Sequence, residues 1–394
     1  MSDKQFFKGA VCGVLCASLV LGGGYVGLQN YAKAGSGLLS DVAVTQKIKY
    51  LEDVIEQDYL EDVDEDSLKE GLYTGLLYGI GDPYSRYYTE AEYEEEMKGT
   101  EGSYSGIGIS ITQNTEGGIL VVDCYEGGPA DQAGLKGEDV ITAVDGTDVT
   151  EKTPSEVSEM IRSKEDGDCV LTVYRQGESD PLEISVTLSN VELPTVFYEM
   201  LDDSVGYLRI SEFTMVTPTQ FENAYQDLQA KGMEKLVVDL RNNPGGVLSS
   251  VCDVLCQILP EGLIVYTEDK YGSRQEYKCD GDTPIQIPLA VLVNENSASA
   301  SEIFAGAVQD YELGAIVGTT TYGKGIVQSI RQLSDGSAVK LTTAKYFTPN
   351  GNNIHKVGIT PDVEVKLDNS LLNKDEISHE EDNQLQAAIQ AVSR

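Results

Sequence analysis

Apolar positions along the chain change period four times, and the changes divide it. Gly9 to Leu28 is one uncharged, mostly apolar run. Between Asp41 and Lys98 apolar residues fall three or four apart (Ile48, Leu51, Val54, Ile55, then Leu68, Leu72, Leu76, Leu77), which predicts amphipathic helices. From Tyr104 to about Asn190 the pattern shortens to alternating strands with glycine turns, interrupted by a helical stretch over Pro154–Ile161. From Val191 onward strands and helices take turns: Val205–Ile210, a helix over Phe221–Ala230, Lys235–Leu240, then a helix with Val251, Val254, Leu255 and Ile258 inward. A buried strand at Ala290–Val293 leads to a helix from near Ser299, with Ile303, Phe304, Ala307, Val308 and Tyr311 on one face, and Ala315–Gly318 is the next strand. Asp368 to Arg394 is polar and ends in a short helix (Leu385, Ala388, Ile389, Val392), expected to be peripheral. The resulting segments are 1–35, 36–100, 101–190, 191–367 and 368–394, and the fold class is α/β (α+β mixed).

Lys4 and Lys8 precede the apolar run, which is long enough to cross a bilayer with the N-terminus inside. Ala32-Lys33-Ala34 offers a signal-peptidase site as the alternative, but the run exceeds an ordinary signal core, so an uncleaved anchor is expected. Either outcome puts the remainder outside the cytoplasm. The 65 acidic against 28 basic residues give a net charge of −37, which repels phosphate backbones and argues against nucleic acid as a partner. Cys12 and Cys16 lie in the apolar run. Cys124, Cys169, Cys252, Cys256 and Cys279 form an odd set without ligand spacing, and Cys252 and Cys256 read as small core residues. With His355 and His379 the only histidines, a histidine-rich metal site is excluded, and no cofactor is called for.

Two strings carry chemistry. Ser299-Ala300-Ser301-Glu302 fits a capping box, so Ser299 could simply start the helix. A serine there also sits beside unpaired N–H groups at the positive end of the helix, the donors an acyl-transfer enzyme uses for an oxyanion. Lys324, between Gly323 and Gly325, is the possible base, since a desolvated lysine loses its charge more easily. Gly318 to Lys324 also fits G-x-x-x-x-G-K. A phosphate loop needs Ser or Thr next and a helix, whereas Gly325 and an alternating Ile326–Ile330 follow.

Ser297-Ala298-Ser299-Ala300-Ser301-Glu302, followed at this spacing by Tyr322-Gly323-Lys324-Gly325, resembles the C-terminal processing peptidases, secreted serine peptidases with a Ser–Lys dyad. The resemblance spans roughly Asp41 to Leu367. It implies a crotonase/Clp-protease-like catalytic core with an inserted PDZ domain and an N-terminal helical segment, and the apolar faces of that helical segment are themselves read as packing on the core. It further implies Ser299 as nucleophile, Lys324 as general base and Gln328 as the residue orienting the lysine. Thr319 stands where the family often has Glu. Asp239-Leu240-Arg241-Asn242-Asn243-Pro244-Gly245-Gly246 resembles the family's oxyanion loop, which pairs Gly246 N–H with Ala300 N–H. Gly81 to Tyr87 resembles the corner before the PDZ module.

Gly106-Ile107-Gly108-Ile109 places N–H groups suited to a terminal carboxylate; the plainer alternative is a glycine bulge. Together with Gly128-Pro129-Ala130, Ala133-Gly134-Leu135 and Asp139-Val140-Ile141 they resemble a bacterial PDZ domain, with Glu138 where glycine is usual. Arg162 matches a family position that couples the module to the active site, and His355 is expected to be structural or near substrate, not the base. The expected partners are proteins or peptides with free apolar C-termini, a membrane reached through the N-terminal helix, and a second copy of the chain. Two rivals remain: a peptide-binding module without catalysis, and a nucleotide-using enzyme.

Overall fold

The computed structural model describes residues 37–164, 167–201, 204–282, 284–372, 374 and 377–393. The predicted membrane-crossing run and the signal-peptidase site lie outside these residues. No helix among the described residues is long and apolar enough to cross a membrane.

The chain divides into two units, Met1–Gly75 and Leu76–Arg394. In the first, helix α1 (Val42–Asp58) is started by Asp41, whose carboxylate accepts the Ala43 N–H at 2.9 Å. Helix α2 (Glu65–Tyr78) begins with Glu65 and Asp66, which suit the positive end of its dipole. Neither helix buries a single residue: Tyr50 is 66 % exposed, Leu51 51 % and Leu72 47 %.

The second unit opens with the corner at Asp82, whose carboxylate takes the Tyr84 N–H and the Ser85 hydroxyl. Strand β1 (Arg86–Tyr88) follows, then helix α3 (Glu90–Glu101), held at its start by a Thr89/Glu92 capping box and stopped by Gly102 at φ 69°. Next come β2 (Ser103–Gly106), β3 (Ile109–Gln113), β4 (Ile119–Cys124), α4 (Pro129–Gln132), β5 (Val140–Val144), β6 (Thr147–Asp148), α5 (Pro154–Arg162), β7 (Asp168–Tyr174), β8 (Leu182–Thr187) and β9 (Ser189–Glu192). Five of these strands form a sheet in the order β3-β4-β5-β7-β8 with β6 attached to β5, while β2 and β9 pair where the chain enters and leaves the module. Ile119, Val121, Ile141, Val157, Leu171 and Val186 fill its core. Glu138 has φ 73°, a left-handed conformation that glycine adopts more easily.

The catalytic part runs β10 (Val196–Met200), β11 (Val205–Ile210), α6 (Thr217–Ala230), β12 (Lys235–Asp239), α7 (Leu248–Leu255), β13 (Gly262–Asp269), β14 (Arg274–Cys279), β15 (Leu289–Val293), α8 (Ala300–Asp310), β16 (Gly314–Gly318), β17 (Ile326–Gln332), β18 (Ala338–Phe347), β19 (Val363–Glu364) and α9 (Asn383–Ala391). Its main sheet is β10-β11-β12-β15-β16-β19, parallel except for β10. β15 is buried at all five positions, as a central parallel strand covered on both faces must be. One face packs Leu208, Phe213, Val238, Val291 and Phe304; a second sheet (β1-β18-β13-β14, with β17 on β18) lies beside it.

The other face corrects the expectation of a peripheral tail. Leu385, Ala388 and Val392 of α9 are buried against Val205, Val237, Ala290, Leu292 and Val317. The tail helix is therefore the second covering layer of the sheet, and burying side chains of this size stabilises by about 1.5–3 kcal/mol each. The short apolar repeat in 385–392 was visible; the uncovered sheet face that needs it was not. The five described cysteines are free, with Cys252 buried and Cys256 half-buried.

Candidate active site

β15 ends at Val293 and the chain turns through a corner fixed by Ser297, whose hydroxyl donates to Leu240 O (2.8 Å) and accepts the Asn294 N–H (2.9 Å). Ser299 follows at φ 55°, ψ −112°, a conformation L-residues rarely hold. Its carbonyl accepts the Tyr346 hydroxyl and its N–H donates to Glu302 Oε2 at 2.9 Å. That carboxylate contact is half of the capping box read from the string. The other half is present too, with the Glu302 N–H facing the Ser299 side chain, but that N–H also donates to the Ser299 carbonyl at 2.9 Å.

Glu302 does more than cap. Fully buried, it also accepts the Thr321 hydroxyl (2.5 Å), the Gly323 N–H (2.7 Å) and the Lys324 N–H (2.8 Å). One carboxylate thus ties the serine turn to the lysine loop, with four donors offsetting the cost of burying its charge.

The Asp239–Gly246 string meets the same turn from the neighbouring strand. Asn243 O accepts the Ala298 N–H and the Ser301 hydroxyl, both at 3.0 Å. Gly245 has φ 109° and Gly246 φ 133°. A Cβ on Gly245 would stand 2.7 Å from Ser299 Cβ, and one on Gly246 2.1 Å from Phe213 O, so both positions require glycine. Among the described residues neither the Gly246 N–H nor the Ala300 N–H has a protein acceptor. Both residues border one cavity of about 890 Å³, together with Ser299, Lys324 and Gln328.

Lys324 Nζ lies 4.8 Å from the centroid of the Tyr84 ring and makes no hydrogen bond to Ser299. Burial and then the charge of Lys340 lower its pKa, against Glu302, Asp82 and Glu96, which pull the other way. Lys340 is itself paired with Glu96 (2.6 Å). The Tyr84 phenol, hydrogen-bonded to Tyr322 and partly buried, is pushed up to about 12. The Gln328 amide donates to Thr342 across β17–β18 (3.2 Å) and makes no hydrogen bond to the lysine. The Thr319 hydroxyl donates to Glu295 at 3.0 Å. His355 is absent from the cavity wall.

Gly106, Ile107, Gly108, Ile109 and Arg162 do not border this cavity. Gly106 ends β2, and Ile107-Gly108, with Gly108 at φ 76°, bridge to β3. The Ile107 and Gly108 carbonyls are bound by the Ala130 and Tyr125 N–H groups. The β3–β4 bulge falls at Ser110/Ile111, so the glycines are a link and not the bulge. β3 is the edge of its sheet, with α5 packed alongside. The Arg162 guanidinium lies 5.0 Å from the Tyr104 ring centroid.

Sequence reasoning missed Tyr84, Lys340 and Tyr346 and saw Glu302 only as a cap. The S-x-x-E string did carry Glu302. Tyr84 lies in the corner string already singled out, but nothing there points to the lysine, and Lys340 and Tyr346 reach the site from a strand distant in the chain.

Comparison with known proteins decides the family. The chain is 35% identical over 333 residues to a carboxyl-terminal-processing protease of Synechocystis sp., covering 82% of this chain and 78% of that one. It belongs to the carboxyl-terminal-processing proteases. The family is a serine-type peptidase one: the pattern of peptidase family S41 matches residues 204–365, that of a PDZ domain residues 120–175, and that of the activating protease CtpB N-terminal domain residues 26–92. Carboxy-terminal processing protease CtpA of Bacillus subtilis is 32% identical over 92% of this chain and 77% of its own. Among solved structures, a photosystem II D1 C-terminal processing protease is 31% identical, with 81% of this chain and 86% of that one covered and a TM-score of 0.48. This member of the carboxyl-terminal-processing proteases is thus a mixed α/β serine-type peptidase with a PDZ domain.

Proposed function

We propose that the chain is a Ser–Lys endopeptidase that cuts unfolded or tail-exposed proteins near their C-termini after the PDZ module takes the tail. One observation carries this: a strained serine at a helix start, two N–H groups without acceptors and a lysine of lowered pKa border the same cavity. Neutral Lys324 takes the proton of Ser299 Oγ as that oxygen attacks the scissile carbonyl. Gly246 and Ala300 N–H stabilise the tetrahedral oxyanion. The Lys324 ammonium returns the proton to the departing amine, leaving an acyl-serine. Lys324 then deprotonates the water that releases the new carboxyl terminus. Substrate entry draws the amine from the Tyr84 ring to Ser299, a tightening common between free and occupied sites. Gln328 orients the lysine once its amide turns from Thr342.

The free edge of β3 accepts an apolar tail as an added strand, with Ile107–Ile109 N–H groups for its carboxylate and Arg162 for coupling. The test is incubation with an unfolded protein bearing a free or an amidated C-terminus. Cuts near the free end, slowed at least about tenfold by amidation, are expected; equal rates for the two substrates would reject tail capture.

The lysine's environment gives a second expectation. Lys340→Gln removes the neighbouring cation and leaves Glu96 unpaired, and both changes raise the Lys324 pKa. Because the neutral amine does the work, the acid limb of kcat/KM against pH shifts to higher pH. A limb that stays put or moves to lower pH contradicts Lys324 as base.

Two broader assignments belong here. The exposed apolar residues of α1 and α2 support a homodimer, which light scattering of the full chain would show and a Leu51→Glu chain would lose. The uncharged run after Lys4 and Lys8 supports a single-pass membrane anchor with the peptidase outside the cytoplasm. Recovery of the chain in the soluble cytoplasmic fraction would refute that placement.

A further inference from the structure

Arg241 opens the loop that ends in Gly246, and its guanidinium is held by two carboxylates, one two residues before it and one from the C-terminal segment. Asp239 binds it through Nε (3.0 Å) and Nη2 (2.6 Å) and also accepts the Tyr207 hydroxyl (2.8 Å). Asp382, from the C-terminal segment, binds Nη2 at 2.9 Å and Nη1 at 3.1 Å, and Gln384 Oε1 binds Nη1 at 3.2 Å. Asp239 and Asp382 are 2 % and 6 % exposed, and with Arg241 and Gln384 they border a cavity of about 580 Å³. Burial would raise the Asp382 pKa, but the Arg241 hydrogen bonds and charge outweigh it and hold the carboxyl below its ordinary value.

The clamp reaches the catalytic turn in one step. Asn242, next to Arg241, has φ 60°; its N–H donates to Asn294 Oδ1, and its Oδ1 accepts from the Asn294 and Asn296 amides. Asn243 holds Gly245 N–H through Oδ1 and the Ala298 and Ser301 groups through its carbonyl. A loop with two left-handed glycines has little stiffness of its own, so where the Gly246 N–H points depends on its anchors, of which the Arg241 clamp is the first in the chain. Asp382 lies beyond residue 365, where the match to the peptidase family ends.

We propose that Asp382 is a positioning residue for the peptidase reaction: from the C-terminal segment it completes the Arg241 clamp and so aims the oxyanion loop. This rests on the peptidase function proposed above. The tail of this chain is then part of its catalytic apparatus as well as a covering layer.

Asp382 also caps α9, accepting the Gln384 and Leu385 N–H groups at 3.0 Å, and a purely structural role has to be separated from the proposed one. Asn caps a helix as well as Asp does. Asp382→Asn therefore keeps α9 and removes only the charge that Arg241 faces; Asp382→Ser serves if Asn fails to fold. The full chain is examined two ways. Hydrogen exchange, in a Ser299→Ala background that prevents self-cleavage, reads amide protection over residues 241–246. Steady-state turnover of an unfolded protein reads kcat and KM.

The expected result is at least tenfold faster exchange in that loop only, with kcat lowered about tenfold or more and KM within twofold. This is less than the roughly 10²–10³ lost when an oxyanion donor is removed outright. Unchanged exchange in the loop overturns the clamp whatever the activity. Faster exchange with wild-type kcat overturns the positioning role. A wild-type chain that cuts no substrate refutes the peptidase function, and the positioning role with it, before any variant is made.

Discussion

Ser299→Ala and Lys324→Ala each lower the turnover of an unfolded protein substrate by at least about 10⁴-fold, the scale at which losing one member of a nucleophile–base pair disables the rest. Both variants remain folded, for a reason visible in the free site. The Glu302 N–H that faces the Ser299 side chain also has the Ser299 carbonyl as acceptor (2.9 Å), and the Lys324 amine makes no hydrogen bond or ion pair among the described residues, so truncation leaves no buried partner unsatisfied. Lys324→Arg is expected to be as inactive as Lys324→Ala, because a guanidinium stays charged and cannot accept the serine proton. Turnover by mass spectrometry alongside thermal melting checks this. A soluble, folded Lys324→Arg chain with substantial activity would remove the lysine from the mechanism.

Glu302→Gln is expected to damage both stability and rate. The carboxylate accepts two donors on each oxygen: Thr321 Oγ1 and Gly323 N–H on Oε1, Ser299 and Lys324 N–H on Oε2. Glutamine has one acceptor oxygen, and its NH₂ would face two donors. Leaving two buried donors without acceptors costs about 2–6 kcal/mol. Because those donors belong to the serine turn and the lysine loop, kcat falls about 10²-fold, the usual cost of an ångström-scale misplacement. Denaturant midpoints and steady-state kinetics together decide the matter. A variant with wild-type midpoint and kcat would mean that the two loops hold their geometry without it. A destabilised variant with normal kcat would make Glu302 a cap and nothing more.

The residues nearest the chemistry were legible because chemistry imposes local strings. Ser299 needs a helix start, Lys324 needs close backbone approach on both sides, and Gly245-Gly246 needs conformations closed to other residues. The alternation of strands and helices after Val191 was equally plain, since parallel strands buried on both faces leave unmistakable apolar runs such as Leu289–Val293.

What escaped notice depends on packing between distant elements. Tyr84 stands beneath Lys324 because the Asp82 corner docks on β18 through Ser85 Oγ and Thr342 N–H, a contact spanning most of the chain. Gln328 points to Thr342 in a pairing whose register shifts between Val327 and Gln328, and period-two reasoning cannot foresee such a shift. The tail looked peripheral because its apolar positions are few and its neighbours polar; its value comes from a sheet face that only the assembled fold leaves open. For α1 and α2 the helical period was right, yet the period states that a face seeks cover and not what provides it.

The central claim is that a neutral Lys324 activates Ser299 within one cavity. It is tested most directly by mapping fluorophosphonate labelling on the full chain and on its Lys324→Ala variant by peptide mass. A single adduct on Ser299 in the wild type and none in the variant is the predicted result. Absence of an adduct on Ser299, or labelling of Ser299 at the same rate without the lysine, contradicts it.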